Sequence, residues 1–405
     1  MDSIADPLLR HAIPHPVQEI TTRTDSRDIL ANHKHDIARH KLDKYFIVDV
    51  DAHHVEFDSW PELLDYVEDP VLRYNGKTMM KNWLNAHNLA LSAHPAGLTF
   101  QDVHGRIPHQ AGLQETVEPS SIGEHRDLTL LRRCMDSMSI DIQVVFPQPM
   151  LEMGLHPNQD IGCQLTIAYN RWFTSRILPY EKRLRTMLAL PFSHPEVCLR
   201  IVREFADTPG VIGFLVSSQR PEAVYNPAYM PLYRELEERG MPLAFHAGPD
   251  YSQAKSLNRF LSVHSLSFVT CNMVHLTNWV INGLPERFPK LKVIWIESGV
   301  AWLPFMMQRL DHEFLMRQSD APLLKKLPSD YMRDMYYTSQ PLEATNLDLL
   351  QATFKAINAE TQLLYSSDWP HWDFDTPGTI AGLPFLNEQQ KRNILGENAR
   401  RLFNL

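Results

Sequence analysis

The sequence predicts an α/β fold of the (β/α)8 TIM-barrel class, and two observations support this prediction. Short runs rich in β-branched and aromatic residues alternate with amphipathic helical stretches, a pattern typical of a parallel sheet with crossover helices. There are about eight such runs, the number of strands that closes a barrel. The predicted strands are Phe46–Asp51, Ile142–Phe146, Thr186–Leu190, Val211–Val216, Pro242–His246, Lys292–Glu297, Met335–Thr338 and Gln362–Ser367.

The chain of 405 residues suits one elaborated barrel, since barrels with insertions commonly reach this size. Residues 1–44 are polar and contain His33, His35 and His40. We expect an N-terminal arm that packs on a neighbouring subunit, with a metal-binding tract as the alternative. Residues 45–405 are predicted to form the barrel. The predicted helices include Gln159–Ile177, Met230–Arg239 and Leu347–Ala356.

Two segments interrupt the alternation of strands and helices. Residues from about 54 to 125 follow the first strand and contain several aromatic residues and a stretch rich in Gly, Pro and His. In a barrel this insertion would lie over the mouth, so we expect a cap that covers substrate or contacts another subunit. A second insertion, roughly 318–334, could serve assembly. Together these extensions favour a homo- or hetero-oligomer, the latter with a related barrel subunit.

Composition excludes several classes of function. The net charge is −9 and no basic stripe is present, so nucleic acid is not an expected partner. The N-terminus lacks an apolar signal region and no stretch is apolar for the length of a membrane span; we therefore expect a cytoplasmic protein. Four widely separated cysteines form no CxxC pair and are expected to be free thiols.

Polar residues end the first predicted strand. Asp51 and His53 are two residues apart, hence on the same face of an extended chain, and are predicted to be neighbouring metal ligands. His54 points the other way. Glu56 begins the predicted cap and could turn back over the same metal, although ordinary surface polarity explains it nearly as well.

The other polar strand ends are predicted to meet the first, because side chains at the C-terminal ends of barrel strands converge on one site. An apolar fifth strand ends in His246, for which a structural histidine is the alternative. A carboxylate such as Glu297 at the end of an apolar sixth strand is costly to bury unless it is paired or metal-bound. Asp368 ends the eighth strand and could bind metal or act as a base on metal-bound water. Two further histidines, His371 in the loop behind Asp368 and His275 on the helix before strand six, are candidate ligands.

Three segments resemble the amidohydrolase superfamily, in particular the branch that contains amino-carboxymuconate-semialdehyde decarboxylase and the aromatic-acid decarboxylases. They are Gly-Leu-Pro-Glu-Arg-Phe-Pro-Lys-Leu-Lys-Val-Ile with the following Glu-Ser-Gly, then Tyr-Ser-Ser-Asp-Trp-Pro-His, and the closing Asn-Ile-Leu-Gly-Glu-Asn-Ala-Arg-Arg-Leu-Phe. The resemblance implies a barrel of amidohydrolase type. It also implies that Asp51, His53, His246 and Asp368 bind metal. Asp51 and His53 match the family's His-x-His or Glu-x-His pair, His246 matches its strand-five ligand, and Asp368 matches its strand-eight aspartate.

Two departures from the family pattern qualify the implied chemistry. Glu297 occupies a position where many members have a histidine, and strand four contains no lysine that could be carboxylated to bridge two metals. A dinuclear site would then need Glu56 or Glu297 as its bridge. The mixture of carboxylates and imidazoles suits iron or manganese at least as well as zinc. The Trp-Ile-Glu-Ser-Gly and Ser-Asp-Trp-Pro-His-Trp-Asp segments resemble those of the dinuclear non-haem monooxygenases on the amidohydrolase fold, such as 2-aminoisobutyrate hydroxylase.

The sequence therefore leaves three functions open. The first is a dinuclear Fe/Mn monooxygenase that hydroxylates a small carboxylic acid, with O2 and a separate reductase as partners because the chain has no dinucleotide fingerprint and no cysteine cluster. The second is a mononuclear metal-dependent hydrolase or decarboxylase, with Asp368 or Glu297 moving the proton. The third is a supporting barrel subunit without chemistry. One or two divalent metals per chain are expected in the first two cases.

Overall fold

In the computed structural model, eight parallel strands form a barrel in the order in which they occur in the chain. The structure describes residues 26–79, 124–148, 151, 153, 156, 158–218, 222–248, 260–371 and 373–405. The strands are β1 Val48–His54, β2 Ile142–Pro147, β3 Leu184–Ala189, β4 Val211–Ser217, β5 Leu243–His246, β6 Val293–Ile296, β7 Tyr336–Thr338 and β8 Leu363–Leu364. The predicted barrel class is confirmed, and each predicted strand overlaps an observed one.

Helices fill the intervals between strands. Two predicted helices, Met230–Arg239 and Leu347–Ala356, have the predicted bounds, and the third ends one residue early at Arg176. The Asn158 side chain caps that helix by accepting the N–H groups of Asp160 and Ile161. The other α-helices are Ser26–His40, Trp60–Leu63, Pro70–Met79, Arg126–Met138, Pro195–Phe205, Phe260–Ile281, Leu284–Arg287, Leu303–Met316, Pro328–Met332, Ala359–Gln362, Pro377–Ala381, Glu388–Arg392 and Asn398–Phe403.

Backbone hydrogen bonds bring the last strand against the first. The N–H of Val50 donates to the carbonyl of Tyr365 (2.9 Å), the N–H of Asp368 to that of Asp51 (2.7 Å), and the N–H of His53 to that of Trp369 (2.6 Å). Because β8 itself is short, these bonds from the segment that follows it hold the barrel mouth together.

Apolar side chains fill the barrel interior, so it is a packed core and not a channel. Val48, Val144, Met187 and Ile294 belong to one buried cluster, which also includes Phe403 of the C-terminal helix. The polar residues that matter for function therefore lie at the mouth, above this cluster.

The segments outside the barrel are partly described. Helix Ser26–His40 of the predicted arm packs against helix Arg126–Met138. Most of the predicted cap, residues 80–123, lies outside the described residues, as does His11 with the rest of residues 1–25. Within the described part of the chain, no helix is both long and apolar enough to cross a membrane.

Candidate metal centre

The end of β1 places two predicted ligands in the barrel mouth. Val48 and Val50 face the apolar interior. Strict alternation along the strand would point Asp51 and His53 to the opposite face, yet they also point inward. The β1–β2 pairing shifts register between Asp49 and Ala52, and such a bulge exchanges the two faces of a strand. The prediction that Asp51 and His53 share a face is confirmed by their common contacts. His54 faces outward, where its ring nitrogens contact Asp127 (3.0 Å) and Tyr169 (2.9 Å).

Strand β5 and the residues that follow β6 and β8 supply the rest of the cluster. His246 is the last residue of β5 and is fully buried. Glu297 and Asp368 follow their strands with φ angles of 56° and 60°. Left-handed backbone is uncommon for residues other than glycine and costs on the order of 1 kcal/mol or more. Both carboxylates thus reach the mouth through a strained backbone, which is frequent at functional sites.

The cluster is compact, and its atoms lie within hydrogen-bonding or ion-pairing distance. His53 Nε2 lies 3.3 Å from Asp51 Oδ1 and 3.1 Å from Asp368 Oδ1. His246 Nε2 lies 3.3 Å from the same Asp51 oxygen, and its Nδ1 is 3.2 Å from Glu297 Oε2. The sixth member, His371, places Nδ1 2.6 Å from Asp368 Oδ1 and 3.7 Å from Glu297 Oε1. Two groups of potential ligands result, and they share His53: Asp51, His53 and His246, and then His53, Asp368 and His371.

Several of these buried atoms form no hydrogen bond within the described part of the chain. They are His53 Nε2, Asp51 Oδ2 and both carboxylate oxygens of Asp368. Leaving buried polar atoms without partners costs roughly 1–3 kcal/mol each, and more for charged groups. Close approach of nitrogen and oxygen lone pairs without hydrogen-bond geometry fits a shared cation, so these residues suit a divalent metal ion.

The rings of the two strand-end histidines are oriented by backbone carbonyls. His53 Nδ1 contacts the carbonyl oxygen of Pro147 (3.2 Å), and His246 Nδ1 contacts that of Ala247 (2.7 Å). An N–H at Nδ1 that donates to a carbonyl leaves Nε2 with its lone pair toward the site, the usual arrangement of metal-bound imidazoles.

Charge is distributed unequally over the cluster. Burial raises the pKa of Asp51, but the imidazoles of His246 and His53 outweigh burial and hold that pKa well below its usual range. Burial lowers the pKa of His53, yet the carboxylates of Asp368 and Asp51 raise it to about 10. In the absence of a metal, His53 therefore carries the positive charge that balances Asp51.

For Glu297, Asp368 and His371, burial shifts the pKa toward the neutral form. Burial, followed by repulsion from Asp368 and Asp51, raises the pKa of Glu297 well above its usual range. Burial raises the pKa of Asp368 to about 6, although its contact with His53 opposes this. Burial and the charge of His53 hold the pKa of His371 well below its usual range. A cation at this point would favour the ionised carboxylates of Glu297 and Asp368 and would reinforce the neutral form of His371.

The structure leaves two predicted ligands, Glu56 and His275, outside the cluster. Glu56 is buried in the turn after β1, where its Oε2 accepts the N–H of Gln148 (3.0 Å). His275 contacts Ser218 Oγ through Nδ1 (3.3 Å) and accepts the N–H of Glu222 at Nε2 (3.1 Å). Because both ring nitrogens of His275 have other partners beside β4, its helix position does not bring it to the metal cluster.

Sequence reasoning missed Gln148 and Asp49. Gln148 follows β2 directly, and its Oε1 lies 2.5 Å from His371 Nε2; the rule that strand ends converge would have pointed to it. Asp49 is a buried carboxylate within β1 that accepts hydrogen bonds from Ser367 and Gln143. The signal for Asp49 was a charged residue between the apolar residues Val48 and Val50 of a strand.

A small cavity lies beside β3 and β4 at the mouth. Leu151, Phe192 and Leu215 line it together with the carboxylate-bearing Glu222. Leu151 and Leu215 share a buried cluster with Phe146, whose ring centroid is 5.5 Å from that of His246. The lining also includes Thr166, Ser193 and Ser217, and a cavity with both apolar and polar lining can hold a small molecule.

Comparison with known proteins identifies the family. Residues 133–405, more than half of the chain, match the family model described as Amidohydrolase. The chain belongs to the amidohydrolase family. The superfamily predicted from the three sequence segments is therefore confirmed.

Solved structures of amidohydrolase type share the fold at low sequence identity. The 5-carboxyvanillate decarboxylase of Sphingomonas paucimobilis is 19% identical with a TM-score of 0.61, covering 89% of this chain and 100% of its own. A Polaromonas dihydroxybenzoic acid decarboxylase with bound manganese and the inhibitor 2-nitroresorcinol is 17% identical with a TM-score of 0.61, covering 89% and 97%. An amidohydrolase of Mycobacterium avium subsp. paratuberculosis is 18% identical with a TM-score of 0.65, covering 89% and 99%.

These comparisons support the wider prediction of a metal-dependent enzyme with the amidohydrolase fold. The similar structures include decarboxylases of small aromatic acids, and the Polaromonas decarboxylase is among those with bound manganese. They add no support for the oxygenase branch, for iron, or for a reductase partner, so those parts of the sequence interpretation stay predictions.

Proposed function

We propose that this amidohydrolase-family protein binds one divalent metal ion, with manganese favoured and zinc the alternative, and decarboxylates a small carboxylic acid. The ligands proposed are Asp51, His53, His246 and Asp368, together with His371, whose Nδ1 lies 2.6 Å from Asp368 Oδ1. The observation that carries the proposal is the set of buried nitrogen and oxygen atoms of Asp51, His53, His246 and Asp368 that approach one another to 3.1–3.3 Å, several of them without a hydrogen bond in the described residues. Hydrolysis at the same centre is the related possibility, and the product distinguishes the two reactions.

When bound, a divalent ion supplies positive charge that holds an anionic substrate and stabilises charge developing on it. In decarboxylation the bond to the carboxylate carbon breaks, CO2 leaves, and a proton takes its place on the substrate. Glu297 is proposed as the donor, because it is a carboxyl group beside His246 and His371 at the barrel mouth that is not one of the proposed ligands. The reaction consumes one proton from solvent, and Asp368, which lies against the same His371 nitrogen as Glu297, is proposed to pass that proton on to Glu297.

The cavity beside β3 and β4 is proposed to hold the body of the substrate. Its apolar lining by residues such as Leu151, Phe192 and Leu215 suits a ring or a short hydrocarbon group. Because the similar solved structures include decarboxylases of 5-carboxyvanillate and dihydroxybenzoic acid, hydroxylated benzoic acids are the first class to test.

Manganese-loaded protein incubated with a panel of hydroxybenzoic acids tests this function through CO2 release. We expect one bound metal per chain and turnover that falls by roughly a hundredfold or more in Glu297→Gln, since one positioned proton donor contributes about that much. Binding of metal without CO2 release from any acid would overturn decarboxylation, and absence of metal binding would overturn the centre itself.

A dinuclear oxygenase is the second candidate, and one observation favours it. Two groups of potential ligands share His53, and Glu297 lies against His246 and His371, where a second ion would find a carboxylate bridge. Such an enzyme would take Fe or Mn, O2 and electrons from a separate reductase, and would hydroxylate a small carboxylic acid of the 2-aminoisobutyrate type. Two metal ions per chain and O2 consumption with a reductase would favour it over the decarboxylase.

A further inference from the structure

We propose that Gln148 is a positioning residue that fixes the ring of His371, and that Glu56 acts through Gln148 instead of binding metal itself. The proposal rests on the metal centre proposed above. It concerns the end of β2, which contributes no side chain to either group of potential ligands.

The side chains of Gln148 and His371 are in direct contact. Gln148 Oε1 lies 2.5 Å from His371 Nε2. An amide oxygen in this position accepts a hydrogen bond from an N–H at Nε2. His371 then presents the lone pair of Nδ1 to Asp368 Oδ1, 2.6 Å away. Two lone pairs this close repel unless the atoms share a proton or bind one cation, so this ring orientation suits a ligand.

Two acceptors hold the backbone of Gln148 in place. Its backbone N–H donates to Glu56 Oε2 (3.0 Å) and to the carbonyl of His54 (3.1 Å). Glu56 is fully buried, and a buried carboxylate that accepts a backbone N–H forms a strong, charge-assisted hydrogen bond. Glu56 therefore contacts the backbone of Gln148, and the side chain of Gln148 in turn contacts His371 in the cluster.

Two adjacent residues, Pro147 and Gln148, contact the rings of His53 and His371. Pro147 supplies the carbonyl that contacts His53 Nδ1 (3.2 Å), and Gln148 supplies the amide that contacts His371. The rings of His53 and His371 stack with centroids 4.5 Å apart. Two adjacent residues at the end of β2 therefore set the tautomers of both rings, and a shift of these residues would disturb both groups of potential ligands.

Imidazole ¹⁵N NMR of the full-length, metal-free protein tests the ring orientation without any metal. With His371 assigned by the spectrum of His371→Gln, we expect a proton on Nε2 in the wild type and loss of this fixed tautomer in Gln148→Leu. Gln148→Glu, which keeps an acceptor oxygen, should preserve the proton on Nε2. A wild-type His371 without a proton on Nε2, or an unchanged tautomer in Gln148→Leu, would overturn the proposal.

Titration of the same proteins with Co²⁺ measures the consequence for metal binding, through affinity and the visible absorption bands. Gln148→Leu should bind about 10–100-fold more weakly, the usual effect of losing a partner that orients a ligand, while Gln148→Glu should stay close to the wild type. Gln362→Leu is the matched control. Gln362 lies directly before β8, is also half-buried, and donates a hydrogen bond from its side chain to the carbonyl of Met335. The Gln362→Leu protein should bind Co²⁺ as the wild type does.

The two measurements separate failure of this inference from failure of the proposed function. If the wild type binds Co²⁺ and Gln148→Leu binds it equally well, Gln148 does not position a ligand. If the wild type binds no Co²⁺ although Gln148 fixes the tautomer of His371, the metal centre is wrong while the contact between the two side chains stands.

Discussion

Asp49 and Ser367 form a double hydrogen bond that joins β1 to the segment after β8. Ser367 donates its N–H to Asp49 Oδ1 (2.8 Å) and its hydroxyl to Asp49 Oδ2 (2.6 Å). Because Asp51 lies two residues beyond Asp49 and Asp368 directly follows Ser367, this pair holds two proposed ligands of different strands in register. The contact spans 318 residues of sequence and acts outside the apolar interior.

Ser367→Ala should lower the free energy of unfolding by about 1–3 kcal/mol, because a buried carboxylate loses its hydroxyl partner. The hydroxyl also accepts the N–H of Trp369 (3.1 Å), so that group loses its partner as well. Urea denaturation of the metal-free protein measures the change. Ser193→Ala serves as control, since Ser193 is half-buried and its hydroxyl contacts His194; it should change stability by less than about 0.5 kcal/mol. Equal effects of the two substitutions would contradict a special role for the Asp49–Ser367 pair.

Gly299→Ala should destabilise the loop after β6 through two effects. Gly299 has φ 60°, which costs other residues about 1–2 kcal/mol, and a Cβ there would lie 2.3 Å from Glu343 Oε1. Glu343 accepts the N–H groups of Val300 (3.0 Å) and Ala301 (3.2 Å), so displacing it leaves those groups unpaired. Thermal and urea unfolding would report the loss.

Gly240→Ala isolates the backbone effect from the collision. Gly240 ends helix Met230–Arg239 with φ 66°, and a Cβ there meets nothing within 4 Å. It should therefore cost only the 1–2 kcal/mol or so of left-handed strain, and Gly299→Ala should cost more. If the two variants lost equal stability, the contact with Glu343 would contribute nothing.

Asp375 should make stability depend on pH between about 4 and 7. Burial raises its pKa to about 7, whereas in the unfolded chain the carboxyl titrates near 4. In this interval the folded protein holds a proton that the unfolded chain has released, so the free energy of unfolding falls as pH rises and levels off above 7. Asp375→Asn retains an acceptor for the N–H of Leu342 (3.0 Å) and should remove this part of the slope. Identical pH profiles for variant and wild type, measured by urea denaturation, would contradict the raised pKa.

The sequence was sufficient to predict the barrel, because its strands and helices carry strong periodic patterns. It was also sufficient to predict that Asp51, His53, His246, Glu297, Asp368 and His371 lie together at the mouth, where strand ends converge; that they bind metal stays a prediction. It did not predict that Glu56 and His275 lie outside this cluster. Their sequence positions are compatible with the site. However, the Glu56 carboxylate accepts the backbone N–H of Gln148, and the His275 ring is hydrogen-bonded to Ser218 and Glu222. Hydrogen-bond partners supplied by distant segments cannot be read from local spacing.

The bulge in β1 shows a second limit of sequence reasoning. Strict alternation places Asp51 on the same face as Asp49 and opposite Val50, yet Asp49 points outward to Ser367 and Asp51 points inward to His246. Only the register shift between Asp49 and Ala52 explains this. No residue in that stretch is a glycine that would have indicated the bulge, so period-two patterning could pair Asp51 with His53 but could not assign their face.

The ligand set itself is tested by replacing one proposed ligand and one histidine that the structure places elsewhere. His246→Ala should abolish metal binding, because it removes the Nε2 atom that meets Asp51 (3.3 Å), and it should leave the barrel folded since the interior cluster is apolar. His275→Gln should keep the full metal content of the wild type, because that ring contacts Ser218 and Glu222 instead. Elemental analysis after loading with manganese, with circular dichroism to confirm folding, measures both. Full metal content in His246→Ala, or loss of metal in a folded His275→Gln protein, would mean that the metal is bound by a different set of residues.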